Sequence, residues 1–415
     1  MVEQSKSKSN TLQVFGVGTG YNGILLHEDK ECDWVNFKQI EDFEQKFESE
    51  NEQNISEDQD QWFKIYSGTK HYDKELFIWG EHIYHGTNGK EVSQNIPQNI
   101  SIDFKISKLS LGFEHTLILT EDHQVFAFGK NSVGQLGQDP KLVKYQEKPV
   151  LVEFKDSNKI VDIYTGLKSS FLILENGQVY SLGSNKHFEL GLNSKQFDSP
   201  PQENSKSQPN TIISPTLLDF KISQISSGMK HTVFLSNCGK LIYGCGSNKM
   251  GQLGYIDFDD KNECQIMTQL PIDQSLIDSQ EVIIEKVVCG WSNTLILYRN
   301  KETENRELWI VGSNHYGQLG QGEKLKDLKF SNKWHQVGEN LNIQDVYAQS
   351  EAFIIKTKEN QLYSWGWNEH GNLALGDKID RHEPTLIENL PFEIDQNSEI
   401  HTQGAYMFLV NKQRQ

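Results

Sequence analysis

The chain has 415 residues, 36% of them apolar, and a formal charge of −17, a size that suits two or three ordinary domains or one array of repeats. So acidic a balance argues against non-specific nucleic-acid binding, which needs a basic footprint. Five scattered cysteines without a C-x-x-C argue against a zinc site or a disulfide framework, and no apolar run approaches the ~18 residues of a membrane helix.

The opening, MVEQSKSKSN, has neither an apolar core nor a cleavage-like pattern, so a soluble cytoplasmic or nuclear protein is expected. Residues 12–23, LQVFGVGTGYNG, follow with a strand-like apolar run. Their GVGTG is a weak dinucleotide fingerprint, because the residues after it do not read as a capped helix. The segment 28–61 is the least regular part of the chain. It carries 13 acidic and 3 basic residues. Within it Phe37, Ile40, Phe43 and Phe47 recur at three- and four-residue spacing, which predicts one apolar face of a short amphipathic helix. These four are the candidate contacts for a basic or apolar-grooved partner.

From residue 62 onward a pattern repeats. One half reads SLGFEHTLILT at 110–120, YTGLKSSFLIL at 164–174, SSGMKHTVFLS at 226–236 and VCGWSNTLILY at 288–298. The other half is a glycine-rich stretch: GKNSVGQLG at 129–137, GSNKHFELG at 183–191, GSNKMGQLG at 246–254, GSNHYGQLG at 312–320 and GWNEHGNLALG, two residues longer, at 366–376. The shared asparagines, Asn131, Asn185, Asn248, Asn314 and Asn368, are 54, 63, 66 and 54 residues apart. A period of this size marks a repeat architecture. Runs of four to six Val, Ile, Leu, Phe and Tyr residues between turns predict strands. Seven units result, approximately 62–89, 106–137, 160–191, 222–254, 284–320, 343–376, and one divided between 400–410 and 12–23. The inserts 193–221, 255–281 and 321–342 read as polar loops between units.

The motif G-x-x-H-T followed by (W/F)-G-x-N-x-x-G-Q-L-G resembles the repeat of the regulator of chromosome condensation. The resemblance runs from Leu12 to Val410 and is specific in the five units across 106–376. It implies an all-β, seven-bladed propeller in one domain, with one blade shared between the N- and C-terminal strands. It also implies a protein-interaction scaffold, with guanine-nucleotide exchange on a small GTPase of the Ran type as the alternative. The glycine-rich stretches then serve as turns between blade strands, since none ends in the Gly-Lys-Ser/Thr of a phosphate loop.

His71, His115 and His231 take equivalent places in this reading, opposite Ser169, Asn293, Ala352 and Met407. A ring of blades spreads such residues apart, so one local hydrogen bond per blade is expected rather than a metal site. Trp79, Trp309 and Trp365 are expected in the core. No catalytic residue, cofactor or metal is predicted; the partner is a protein, with no nucleic acid and no membrane, and the chain is expected to be a monomer on its own.

Overall fold

The structure, a computed structural model, describes residues 101–153, 157–192, 211–217, 221–254, 263–272, 281–396 and 398–412. It also describes the strands at 12–19, 33–39, 64–66, 69–72, 75–83 and 92–101. These form seven four-stranded antiparallel sheets, the blades of a β-propeller. Blade 1 lies within 64–101, blade 2 within 106–151, blade 3 within 160–217 and blade 4 within 222–269. Blade 5 lies within 282–337 and blade 6 within 343–386. Blade 7 combines Ser398–Gln403 and Tyr406–Lys412 with Leu12–Thr19 and Asp33–Gln39. The first strands of successive blades touch one another and so make the inner ring. In each of blades 2 to 6 the first six residues of the second strand are all buried, as in a strand covered on both faces.

The core lies between blades rather than inside any one. Leu117 and Val125 of blade 2 cluster with Ile163 and Leu172 of blade 3; Leu295 and Ile310 of blade 5 cluster with Val346 and Phe353 of blade 6. Phe171 and Phe234 meet edge to face across blades 3 and 4, with centroids 5.8 Å apart, a geometry adding about 1 kcal/mol to their burial. The inner ring adds polar ties. Lys108 pairs with Asp162 and lies over the Tyr164 ring, and Lys286 pairs with Asp345 at 2.7 Å and lies over Tyr347. The same three residue types thus join blades 2 to 3 and 5 to 6.

Two sequence expectations change. First, the inserts read as loops hold the fourth, outermost strands, Thr211–Leu217, Glu263–Gln269 and Phe330–Val337. These strands are polar because an edge has one face in water, and prolines hide four of the seven fourth strands further. Pro97, Pro149, Pro215 and Pro384 each fall where the register slips, at a position that donates no ladder bond. Second, Phe37 lies in the strand Asp33–Gln39, the outer strand of blade 7, and not in a helix. The alternating apolar residues Val35 and Phe37, at strand period, outweigh the helical spacing there. Ile40, Phe43 and Phe47 lie outside the described residues. GVGT, read as a weak dinucleotide fingerprint, belongs to the strand Leu12–Thr19 and is not the strand-to-helix turn of a dinucleotide site, in line with the sequence reading.

Leu12–Thr19 pairs with Tyr406–Lys412 over seven residue pairs, so the two ends of the chain close one blade. Met407, Phe408, Leu409 and Val410 are fully buried in consequence. Deleting residues 1–39 removes both N-terminal strands and uncovers that edge and its apolar side chains. The melting temperature is expected to fall by on the order of 10 °C or more. A truncated chain that melts with the parent in calorimetry would disprove the shared blade.

Candidate functional site

The glycine-rich nonapeptide is a turn that satisfies its own backbone. In blades 2 to 6 the asparagine Oδ1 accepts the N–H five residues on: Leu136, Leu190, Leu253, Leu319 and Leu373, at 2.8–3.2 Å. Its Nδ2 closes the far side, as where Asn314 donates to the carbonyls of Leu325 and Leu328. The side chain four residues after the asparagine, Gln135, Glu189, Gln252 or Gln318, accepts the N–H two residues before itself. Gly246 shows why the first glycine is required: at φ 99° a Cβ would stand 2.4 Å from the Lys230 carbonyl. The last turn has no insertion. Ala374, at φ 59°, occupies the place of the final glycine, and Phe188, at φ 65°, occupies that of the middle one in blade 3. The polar groups of this stretch are therefore spent on the fold, and no phosphate cradle remains.

The histidines hold neighbouring blades together. His115 Nε2 meets Ser170 Oγ of blade 3 at 3.0 Å, and Ser170 donates to the Gln135 carbonyl of blade 2 at 2.7 Å. His231, Thr294 and Gln252 repeat this across blades 4 and 5, at 3.1 and 2.7 Å. Each hydroxyl gives its one proton to the carbonyl, so each imidazole must donate from Nε2 and leave Nδ1 bare. Both Nδ1 atoms are buried without a hydrogen-bond partner. Burial lowers both histidines to about 4; the Ser169 backbone and Glu114 offset this in part at His115, as does the Asn293 backbone at His231. The bond expected inside each blade thus crosses between blades, and it comes from two residues only among those described. Asn293 instead donates to Val311 and Ser313 of its own blade. Two alignments shift. His71 pairs with Leu76 in mid-strand, whereas His115 pairs with the turn glycine Gly129, and in blade 7 Tyr406, not Met407, pairs with the corresponding Gly18. Among the described residues no three His, Cys, Asp or Glu side chains converge as metal ligands.

In blades 2 to 6 the loops before these positions join the first and second strands and share one face with the nonapeptide turns. Each is tight, closed by an N–H to carbonyl bond such as Gly228 to His231 at 2.9 Å. They are also bonded to one another: Met229 N–H to Trp291 at 3.0 Å, Trp291 to Ser350 at 2.6 Å and Ser350 to Gly404 at 2.8 Å. The second loop residue points an apolar side chain outward in consecutive blades. Phe113 is 50% exposed, Met229 39% and Trp291 41%, with Leu167 half-buried between them. The next residue is Glu114, Lys168, Lys230 or Ser292. Beyond Trp291 the aromatic surface continues in Tyr316, whose ring lies 6.2 Å from Trp367. The result is a rigid crescent of apolar side chains around the mouth of the inner ring. In the sequence Trp291 shows only as part of the repeat VCGWSNTLILY. The signal for the rest was an apolar residue recurring at one loop position. Phe37, the described member of the four predicted contacts, is in the outer strand of blade 7 and so is not part of this crescent. Trp365 is fully buried as expected, and Trp309 is half-buried.

A profile of the RCC1-like domain matches residues 9–408. The chain is similar to an RCC1 domain-containing protein of Dictyostelium discoideum, with 32% identity over 57% of this chain and 51% of that one. It is also similar to the ultraviolet-B receptor UVR8 of Arabidopsis thaliana, with 25% identity over 76% of this chain and 66% of the receptor. The match therefore spans about half to two thirds of these relatives' lengths. Among solved structures, yeast RCC1 (Prp20) with Kap60 bound superposes at a TM-score of 0.71 and 17% identity, covering 100% of this chain and 96% of that one.

The relay makes two predictions. Thr294→Val keeps the shape but strands the His231 Nε2–H and the Gln252 carbonyl, both buried. A loss of about 2–4 kcal/mol in urea unfolding is expected; a loss under about 0.5 kcal/mol would show that the hydroxyl carries no link. The second concerns pH. The folded chain keeps both imidazoles neutral down to about pH 4, whereas the unfolded chain protonates them below about 6.5. Stability is then fully present above pH 6.5 and is lost as pH falls toward 4, by at most ~3 kcal/mol for each histidine. Replacing His115 and His231 together by Gln should flatten that part of the stability profile, and an unchanged profile would contradict the assignment.

Proposed function

Because the chain belongs to the RCC1-like domain family, we propose that it acts as a protein-interaction scaffold that grips its partner with the loop face of the propeller. One observation carries the reading: an apolar row on tight loops, exposed at Phe113, Met229 and Trp291 and half-buried at Leu167, with the loops of blades 4 to 6 each hydrogen-bonded to the next blade. Apolar side chains on tight loops add nothing to the core. A rigid row of them loses little entropy on binding and offers the aromatic anchors that dominate protein interfaces. The residues of the turns and the relay are occupied with structure, so the chemistry this face offers is recognition. Exchange on a small GTPase is a special case of the same gripping, and it rests on the family resemblance.

The Met229→Ser/Trp291→Ser double variant tests the reading. Proteins captured by the parent chain from a cell extract, once identified and purified, should bind the variant at least tenfold more weakly, with the melting temperature held. Undiminished affinity would move the docking surface elsewhere. The same purified chain, added to a panel of small GTPases loaded with fluorescent GDP, decides the narrower question. Accelerated release from one member would make the scaffold an exchange factor.

A further inference from the structure

Where the crescent crosses from blade 3 to blade 4, it opens into a cleft of about 190 Å³. Leu167 and Met229 line it from two successive loops, together with the three lysines Lys168, Lys186 and Lys230. Its lining includes the buried Ser169, His231 and Thr232. One carboxylate lines it, Glu189, and that group is committed: its oxygens accept the Ser184 hydroxyl and the His187 N–H, both at 2.6 Å.

The surrounding carboxylates are also engaged. Glu114 sits between Lys130 and Lys168, the latter 3.5 Å away, and Glu263 sits between His187 at 3.5 Å and Lys249 at 3.8 Å. Lys186 and Lys230 are exposed, and among the described residues neither ammonium group has a hydrogen-bond or ion-pair partner. In a chain with 57 acidic and 40 basic residues, a cleft with three cations around one committed carboxylate runs against the charge of the whole. The tight loop turns hold the backbone beneath two of those cations.

We propose that this cleft docks an acidic peptide segment of a protein partner. Its Asp or Glu side chains reach Lys168, Lys186 and Lys230, while an adjacent aliphatic or aromatic side chain packs on Leu167 and Met229. The proposal rests on the reading of the loop face as the docking surface and gives that surface a partner class. Charge complementarity selects the carboxylates, and the flanking apolar residues select a chain that alternates charge with hydrophobic side chains. A nucleic-acid strand fits less well, because its phosphates continue past the cleft onto an acidic molecule.

The test pans a random peptide-display library against the full chain and measures the selected peptides by fluorescence anisotropy. Enrichment of Asp or Glu beside apolar residues is expected. So are at least a tenfold loss of affinity in Lys186→Glu/Lys230→Glu and weaker binding as salt rises from ~50 to ~500 mM. Both lysines are exposed, so the variant should keep its melting temperature; Lys186→Gln/Lys230→Gln, with a smaller loss, checks any variant that does not. Peptides without acidic enrichment, or equal affinity for the reversed variant, would overturn the proposal. Stronger binding of inorganic phosphate or a single-stranded oligonucleotide would do the same. Peptides that depend on Phe113 and Trp291 but not on the lysines would overturn it while leaving the loop face as the docking surface.

Discussion

A four-stranded sheet that is apolar on both faces is stable only with a cover on each side. Every described core cluster spans two blades, so no blade owns the residues that bury it. Blades 2 to 6 find both covers in their sequence neighbours, whereas the ends of a linear array would each lack one. Pairing Leu12–Thr19 with Tyr406–Lys412 removes the ends by making one blade from both termini. The ring, the buried second strands and the fixed spacing of the loops all follow from that closure.

Closure also explains which polar residues recur. Cores between blades leave the turn carbonyls at the blade boundary buried, and each needs a donor, which in blades 2, 4 and 5 comes from across the interface. The carbonyls of Gln135 and Gln252 take a hydroxyl from the next blade, Ser170 or Thr294. That of Gln318 takes the indole N–H of Trp365 at 2.8 Å, because Phe353 stands where a hydroxyl would be. The position of the acceptor is set by the fold, and the identity of the donor is free within geometry. The repeat therefore weakens unevenly from unit to unit: its turn asparagine persists, while its histidine gives way to serine, asparagine or alanine.

The same distinction decides what the sequence discloses. Asn131, Asn248 and Asn314 are legible because a backbone turn with its own capping accepts few alternatives. The outer strands are illegible because an edge strand needs little apolar content and tolerates a proline such as Pro149 or Pro384 at its bulge. Phe37 misleads because its spacing to Ile40 fits a helix and its spacing to Val35 fits a strand, and pairing with the neighbouring strand, not local spacing, settles the matter. His71 misleads because a short motif matched while the register behind it did not. The apolar crescent was visible only as a column, Phe113 over Leu167 over Met229 over Trp291, and acquires meaning once the blades align those residues on one face.

A propeller built in this way has little freedom left for function. Its second strands are buried, its asparagines and glutamines are committed to turns, and its histidines and hydroxyls tie blade to blade. In blades 2 to 6 the loop positions just before the second strand are freer, because each loop closes through backbone atoms; Glu114, buried between Lys130 and Lys168, is the exception. There the chain places Phe, Leu, Met and Trp in one column, and Glu, Lys, Lys and Ser in the next. Side chains can change at these sites without disturbing a single bond of the relay. Specificity for a partner can therefore vary across the loop face while the ring that presents it stays fixed.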